Sequence, residues 1–194
     1  MRHLELLITN PQQKTLLIHY LALLEKWNKS YNLTAIDDPN EALTLHLLDS
    51  LSTAPFVTGQ TILDLGSGGG LPGIPLAIYF PEKQFTLLDS NQKKTRFLTQ
   101  VQLELNLKNV SIVTARAEKF SPPAPFDQII ARAVMSAADL IVCSQHLLKP
   151  QGQWLFMKAR HIEEELQALE RPAKVIPLKV PGLTAERNLL IVDN

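Results

Sequence analysis

A glycine-rich turn between an apolar run and a proline-led segment has the clearest chemical potential in this sequence. Residues 61 to 73 read Thr-Ile-Leu-Asp-Leu-Gly-Ser-Gly-Gly-Gly-Leu-Pro-Gly. The apolar run predicts a buried strand of a parallel sheet, and Pro72 suits the first turn of a following helix. Gly66, Gly68 and Gly70 have no Cβ, so the backbone can take positive φ angles and its amides can approach a ligand closely. The arrangement predicts a site for a nucleotide-like ligand.

The spacing of these glycines distinguishes between two classes of cofactor. A dinucleotide fingerprint counted from Gly66 needs glycine or alanine at position 71, where this chain has Leu71. A register of Gly68, Gly70 and Gly73 satisfies the fingerprint but leaves Asp64 without a role. The pattern Asp-x-Gly-x-Gly-x-Gly uses every residue, and Asp64 can orient the turn through its amides or meet an ammonium group. S-adenosylmethionine carries an ammonium group and no pyrophosphate, so we predict it as the cofactor, with a nicotinamide-dependent oxidoreductase as the alternative.

Two later segments predict contacts to the adenosine part of such a cofactor. Asp89 ends a second apolar strand, 23 residues after Gly66, near the spacing at which an acid reaches a ribose diol. The alternative role for Asp89 is a helix N-cap. Ala117 and Glu118 follow the third strand, where a doubly wound sheet usually holds adenine. Ala117 is small enough to lie against a base and Glu118 can meet an exocyclic amine, although an exposed loop explains them equally well.

The end of the fourth strand bears on the type of reaction. An exocyclic-amine methyltransferase commonly carries an Asn/Asp-Pro-Pro-aromatic tetrad there, and this chain has none. A pyrimidine carbon methyltransferase needs a cysteine nucleophile, but Cys143 lies within an apolar helix and is predicted to be a core residue. The residue at the strand end is Arg132, which we predict to have a catalytic and cofactor-binding role. A buried ion pair with Glu118 or Asp89 is the alternative.

Length, composition and charge set broad limits. The chain has 194 residues, 45% of them hydrophobic, with 19 Lys plus Arg and 19 Asp plus Glu. The single Cys143 fits a reducing cytoplasm, and neither a run of transmembrane length nor a secretory signal pattern is seen. We therefore expect a cytoplasmic protein that binds neither membranes nor metals. A neutral net charge limits nucleic-acid binding to a local basic patch, for which Lys93, Lys94 and Arg96 are candidates, if they are not simply a solvated helix face.

The order of predicted elements indicates the fold class. Helices over residues 11 to 29 and 39 to 52 precede the first strand, and from residue 61 strands alternate with helices. The later elements include a helix over 136 to 148, a strand over 153 to 158 and a helix over 160 to 170. This order predicts an α/β, Rossmann-like fold: a mostly parallel sheet with helices on both faces and an antiparallel C-terminal edge strand. We expect one domain over residues 1–194, made of an N-terminal helical cap (1–56) and a cofactor-binding core (57–194).

Several motifs together resemble one bacterial family. They are Trp27-Asn28-Lys29, Tyr31-Asn32-Leu33-Thr34, Asp38-Pro39-Asn40-Glu41, His46-x-Leu48-Asp49-Ser50, Asp64-x-Gly66-x-Gly68-x-Gly70-Leu-Pro-Gly-Ile-Pro75, Leu88-Asp89-Ser90 and Arg132-Ala133. The chain closely resembles the RsmG family, also called glucose-inhibited division protein B, of class I 16S rRNA guanine-N7 methyltransferases. The resemblance implies S-adenosylmethionine as methyl donor and a guanine in a loop of 16S rRNA as acceptor. Its family-matched cofactor contacts are Gly66, Leu71, Ala117, Glu118 and Arg132.

The implied chemistry needs no general base, because guanine N7 has a free lone pair and positioning supplies most of the acceleration. An arginine held bidentate on O6 and N7 would block the atom to be methylated. We therefore predict that Arg132, Lys158 or Arg187 contacts O6 alone, a phosphate or the cofactor. His46 is expected either to line the pocket or to be packed in the helix. The expected partner is 16S rRNA within the 30S subunit or an assembly intermediate, the expected state is a monomer, and a non-catalytic RNA-binding module is a further alternative.

Overall fold

The computed structural model describes Leu4 and residues 7–36, 38–132, 135–159 and 162–194. Ala133, in the last motif above, and the predicted start of a helix at residues 160 and 161 lie outside that description. The helices are α1 Pro11–Tyr31, α2 Pro39–Ala42, α3 Asp49–Leu51, α4 Gly73–Tyr79, α5 Gln92–Glu104, α6 Ala137–Ser144 and α7 Ile162–Gln167. The strands are β1 Thr61–Leu65, β2 Gln84–Asp89, β3 Val110–Thr114, β4 Phe126–Arg132, β5 Leu148–Lys158, β6 Ala173–Pro177 and β7 Asn188–Asp193.

The seven strands form one sheet in the order β3-β2-β1-β4-β5-β7-β6. The first five strands in this order run parallel, and β7 is antiparallel to both of its neighbours. The predicted mostly parallel sheet with an antiparallel C-terminal strand is therefore confirmed, with β7 lying one position inside the edge strand β6. The strand order reverses between β1 and β4, and ligands of open α/β sheets bind at the carboxyl ends of the strands at such a point.

Helices cover both faces of the sheet because alternate residues of each strand point to opposite sides. Along β1, Ile62 belongs to one buried cluster and Leu63 to another. The first cluster includes residues of α1, α4 and α5, and the second includes residues of α6. Asp64 has the same parity as Ile62, so its carboxyl group points toward the face that α4 covers.

The two predicted N-terminal helices both form, with one irregularity. Helix α1 begins behind Asn10, whose side chain accepts from Gln12 N, and ends at Asn32 in the left-handed conformation. The second helix is interrupted between α2 and α3 by a π-helical segment, Leu43–Leu48. Such segments are rare and often occur at functional sites. The leucines of both helices share a buried cluster with the sheet; the division at residue 57 remains a prediction.

Two further elements differ from the sequence prediction. The helix predicted over residues 136 to 148 ends at Ser144 and continues as a 3₁₀ turn, Gln145–Leu147. Strand β5 begins at Leu148, five residues earlier than predicted, because Leu148 pairs with Phe126. Among the described residues, no helix is long and apolar enough to cross a bilayer.

Candidate functional site

The glycine turn follows β1 as the sequence predicts. Gly66, Gly68 and Gly70 have φ angles of 72°, 58° and 89°, a region that L-residues with side chains rarely occupy. The amide of Gly66 donates to Leu88 O at 2.8 Å, which ties the turn to the neighbouring strand. A Cβ at Gly70 would lie 2.6 Å from a side-chain carbon of Ile74. Gly70 therefore packs against the helix behind the turn, while Gly66 and Gly68 line the open side.

Asp64 holds the far end of this turn. Its Oδ2 accepts from Gly73 N at 2.9 Å, and a Cβ at Gly73 would overlap the same carboxylate. Complete burial raises the pKa of Asp64 to about 7, against the opposing effect of the Gly73 amide. Of its two predicted roles, the structure shows the orientation of the loop. Gly73, the third glycine of the dinucleotide register, is needed here by Asp64 rather than by a pyrophosphate.

Asp89 anchors the turn from the next strand. Its Oδ2 accepts from Gly68 N at 2.9 Å and its Oδ1 from Asn91 N at 2.8 Å. The N-cap of α5 is Asn91, which accepts from Lys93 N at 2.9 Å, so the capping role considered for Asp89 belongs to Asn91. Each carboxylate oxygen of Asp89 keeps a lone pair, and the residue faces a cavity. A pair of hydroxyl groups could donate to it there.

A cavity of about 510 Å³ opens at the carboxyl ends of β1, β2 and β4, within the usual size range for small-molecule sites. Of the sequence-predicted residues, it brings together Gly66, Gly68, Leu71, Asp89, Lys94, Ala117, Glu118 and Arg132. Asp64 and Gly70 support the turn without lining this cavity. Lys93 and Arg96 are exposed outside it, on the same helix as Lys94.

Sequence reasoning missed some residues of this cavity. Leu33 and Thr34, from the segment after α1, form part of its wall, as does Met135. Cys143 is half-buried: it packs against the buried cluster that includes α6, as its apolar surroundings predicted, but it also lines the cavity. The motif Asn32-Leu33-Thr34 was a usable signal, since it belongs to the family resemblance. Nothing local in the sequence marks Cys143, because only the packing of α6 decides which side it faces.

Arg132 lies at the boundary between this cavity and a second one. Its Nη1 donates to Leu45 O at 2.9 Å and to Asp49 Oδ2 at 3.1 Å. The ion-pair partner is thus Asp49 and not the Glu118 or Asp89 that the sequence suggested. Arg187 approaches the same carboxylate from the other side, with Nε 3.3 Å from Asp49 Oδ1. Burial raises the pKa of Asp49, while the two arginines act in the opposite direction.

The second cavity has a volume of about 290 Å³ and shares Thr34 and Arg132 with the first. It is lined by Thr34, Ala35, Ile36, Leu45, His46, Asp49, Arg132, Met157, Ala159 and Arg187. His46, on the π-helical segment, lies 3.0 Å from Thr34 Oγ1 through Nε2. Burial, assisted by Arg132, lowers the pKa of His46 to about 4. The imidazole is therefore neutral at pH 7, and His46 is both buried and part of the cavity wall.

The remaining predicted cation, Lys158, is held in a pair. Its Nζ lies 2.6 Å from Glu165 Oε1 and 2.8 Å from Met135 O, and only 10% of the side chain is exposed. An RNA phosphate would have to break this pair to reach the amine. Among the described residues, no cluster of three or more His, Cys, Asp or Glu could hold a metal ion.

The sheet order, the glycine turn and the acidic end of β2 define the fold of class I S-adenosylmethionine-dependent methyltransferases. Solved structures share it at low identity. NodS from Bradyrhizobium japonicum WM9, an N-methyltransferase in complex with S-adenosyl-L-homocysteine, superposes with a TM-score of 0.59 at 18% identity, over 82% of this chain and 93% of that one. Precorrin-6y C5,15-methyltransferase from Geobacter metallireducens GS-15 gives 0.59 at 15% identity, over 75% and 88%.

Sequence comparison gives the family. The model of the GidB family, described as rRNA small subunit methyltransferase G, matches residues 13–190. The protein of that name from Hydrogenovibrio crunogenus is 51% identical over 187 residues, which are 95% of this chain and 87% of the relative. The one from Stutzerimonas stutzeri is 54% identical over 186 residues, 93% and 86%. The chain belongs to the GidB family of rRNA small subunit methyltransferases, which favours neither the oxidoreductase nor the non-catalytic alternative.

Proposed function

We propose that the chain transfers the methyl group of S-adenosylmethionine to N7 of a guanine in a loop of 16S rRNA. The observation that carries the proposal is the pair of adjoining cavities that share Arg132 and Thr34. The larger cavity suits the cofactor and the smaller one suits a single base. Enzymes that modify a base extrude it from the stack into such a pocket.

The larger cavity offers the groups that the cofactor requires. The free lone pairs of Asp89 suit the ribose hydroxyls, and the open turn at Gly66 and Gly68 suits the methionine end. Ala117 and Glu118 lie together on the cavity wall, as adenine binding requires. When bound, the cofactor supplies an electrophilic methyl group on a sulfonium. The chain's own residues hold it, exclude water and turn the methyl toward the second cavity.

The proposed step is an in-line displacement. The N7 lone pair forms the new N–CH₃ bond, the S–CH₃ bond breaks, and sulfur keeps its electron pair, so that the positive charge moves from sulfur to the purine ring. No proton has to leave before attack. This suits a junction at which the only histidine among the lining residues, His46, is neutral and at which Asp49 is already paired with two arginines.

A surface beside the larger cavity is proposed to receive the RNA strand. Helices α1 and α5 are antiparallel, because His19 contacts Glu104 at 3.1 Å and Trp27 packs against Phe97 with ring centroids 5.6 Å apart. The same register puts Tyr31, four residues after Trp27, opposite Lys93, four residues before Phe97.

The ends of α1 and α5 therefore place an exposed aromatic ring beside exposed cations, as binding of single-stranded RNA requires. Tyr31 is 39% exposed and stacks on Trp27 at 5.1 Å, so one face of its ring is supported and the other can accept a base. Lys93 and Arg96 are exposed nearby on α5. Aromatic stacking together with backbone-neutralising cations is the usual means of binding single strands. Tyr31 is therefore the candidate aromatic residue for stacking on an RNA base.

The test is methylation in vitro with radiolabelled S-adenosylmethionine. The substrates are 30S subunits and isolated 16S rRNA from cells that lack this protein, followed by mapping of the label. We expect one methyl group on N7 of one loop guanine. Transfer to 30S particles should be faster than to isolated rRNA, because a chain without net charge has little overall electrostatic attraction for naked RNA. Equal rates on both substrates would contradict the preference, and label on another atom would contradict the function.

Two controls accompany this test. Gly66→Arg fills the open side of the cofactor cavity and should abolish both S-adenosylhomocysteine binding and methylation. Tighter binding of NADH than of S-adenosylhomocysteine by the unaltered protein would support an oxidoreductase instead. We further propose that the protein acts as a monomer in the cytoplasm; a sedimentation experiment at micromolar concentration tests the monomer.

A further inference from the structure

The second cavity contains buried polar atoms without hydrogen bonds. Within the described part of the chain, Asp49 Oδ1 and His46 Nδ1 have no hydrogen-bond partner, although both atoms are buried. Asp49 Oδ1 forms an ion pair with Arg187 Nε at 3.3 Å, a contact that is long and is not aligned as a hydrogen bond. Such orphaned groups are few in native proteins and call for an explanation. A ligand that donates N–H groups into this cavity would provide one.

The polar groups around the two cavities occur in a definite order. The cofactor cavity comes first, then Arg132, which lines both cavities, and then Asp49, which is bonded to Arg132 and lines only the second. Along the edge of guanine, the order is the N7 lone pair, the O6 acceptor, the N1–H donor and the N2–H donor. The two orders are complementary: N7 toward the methyl group, O6 toward Arg132, and N1–H with N2–H toward Asp49.

We propose that Asp49 selects the acceptor base by accepting hydrogen bonds from N1–H and the 2-amino group of guanine. The proposal deepens the function proposed above and rests on it. Arg132, bound to the same carboxylate, then faces O6 alone and leaves N7 open to the cofactor. Arg187, whose side chain is 20% exposed, gives way at Asp49 Oδ1 when the base enters.

Adenine is excluded by the same pair of groups. Its amino group would present a donor to the guanidinium of Arg132, and its N1 would present an acceptor to the carboxylate of Asp49. Both contacts are mismatched, and a site built to bind donors and acceptors rejects an analogue that leaves them unpaired. The five apolar residues of the cavity add shape but cannot distinguish the two purines.

Asp49 also has a role in the reaction itself. Methylation of N7 puts positive charge on the purine, and this charge makes N1–H a stronger donor. The hydrogen bond from N1–H to the carboxylate therefore strengthens as the methyl group is transferred. An interaction that is stronger in the transition state than in the ground state raises kcat rather than only lowering KM.

The test compares guanosine with inosine, which lacks only the 2-amino group, at the target position of reconstituted 30S subunits. The variants are Asp49→Asn and, as a matched control, Asp127→Asn. Asp127 pairs with Lys149 at 2.6 Å at the amino end of β4, the opposite end of the strand from Arg132. The measurements are kcat/KM for N7 methylation of each substrate and the Kd of S-adenosylhomocysteine.

For the unaltered protein we expect guanosine to be preferred over inosine by about 10- to 100-fold, as for the loss of a hydrogen bond to a charged group. Asp49→Asn keeps an oxygen for Arg132 but presents an amide donor to the 2-amino group. The kcat/KM values for guanosine and inosine should then become about equal, or inosine should be preferred, while the Kd of S-adenosylhomocysteine stays unchanged. Asp127→Asn should retain the preference of the unaltered protein.

The outcomes are separable. Failure of the unaltered protein to methylate any guanosine N7 overturns the proposed function. Guanosine methylation without a preference over inosine overturns the role of Asp49 alone, and this measurement needs no variant to fold. A preference that persists in a cofactor-binding Asp49→Asn protein overturns it as well.

Discussion

Tyr20 connects helix α1 to the glycine turn after β1 through its hydroxyl group. The Tyr20 hydroxyl donates to Gly69 O at 2.6 Å, and both residues are buried. Burial raises the pKa of Tyr20 far above its usual value, so the hydroxyl remains a donor throughout the working pH range. The Tyr20→Phe substitution keeps the ring and removes only this hydrogen bond.

The expected magnitude follows from the group left behind. Without the hydroxyl, the Gly69 carbonyl is buried without that donor, which costs about 1–3 kcal/mol. For a chain of this length, about 2 kcal/mol corresponds to a fall in Tm of about 4–8 °C. If the whole loss of about 2 kcal/mol is expressed as freedom of the turn, cofactor binding must restore the order, and the Kd of S-adenosylhomocysteine rises by about 30-fold.

The assay combines calorimetric melting with titration of S-adenosylhomocysteine, with Tyr79→Phe as the control. Tyr79 is half-buried, packs edge-on against Phe80 at 4.7 Å, and makes no side-chain hydrogen bond within the described residues. We expect Tyr20→Phe to lower both Tm and cofactor affinity, and Tyr79→Phe to change neither appreciably. A fall in Tm with an unchanged Kd would refute the link between α1 and the turn.

Three further predictions follow from the same turn and its surroundings. Gly70→Ala, at φ 89° with 2.6 Å to Ile74, should destabilise the fold by about 2–4 kcal/mol. Gly68→Ala, at φ 58° with no atom closer than 3.9 Å, adds backbone strain without a clash, so it should destabilise the fold less, by about 1–2 kcal/mol, and also weaken cofactor binding. Urea unfolding and titration of S-adenosylhomocysteine measure the two effects, and equal destabilisation by both substitutions would contradict the prediction. Burial raises the pKa of Asp64 from 3.8 to about 7, so its contribution to stability is complete below about pH 4 and is lost as pH rises through 7. The stability of the unaltered protein relative to Asp64→Asn should therefore fall by up to about 4 kcal/mol between pH 4 and 8, and a constant difference would refute this. Replacing Lys93 and Arg96 by alanine should reduce the salt dependence of RNA binding by about 0.7 in slope per lost phosphate contact; an unchanged slope would exclude this surface.

The cofactor turn could be predicted because its determinants are local. The positive φ angles of the turn occur at Gly66, Gly68 and Gly70, which lie within five residues of each other. Asp64 precedes Gly66 by only two positions. The alternation of strands and helices is likewise a local signal. For the turn and the alternating elements, the residues that determine the structure are close in sequence to the structure that they form.

The second cavity could not be predicted in the same way. Arg132 and Asp49 are 83 positions apart in the sequence. The sequence therefore suggested Glu118 and Asp89 as partners of Arg132, because both were expected at the same end of the sheet. The π-helical segment left no pattern, because the leucines around His46 fit an ordinary helix equally well. A π-helical segment changes the angle between successive side chains, and this angle determines which side chains of that helix face the cavity.

The N-terminal segment contributes lining residues to both cavities. The glycine turn, Asp89 and Arg132 lie at the ends of core strands, but the one acidic residue among the described residues that line the second cavity, Asp49, comes from the segment before β1. The hydrogen bond from Tyr20 to Gly69 and the ion pair of Asp49 with Arg132 attach the two parts at both cavities. The two proposed sites therefore lie in one packed unit: in our proposal the core strands bind the cofactor, and Asp49, which precedes β1, selects the base.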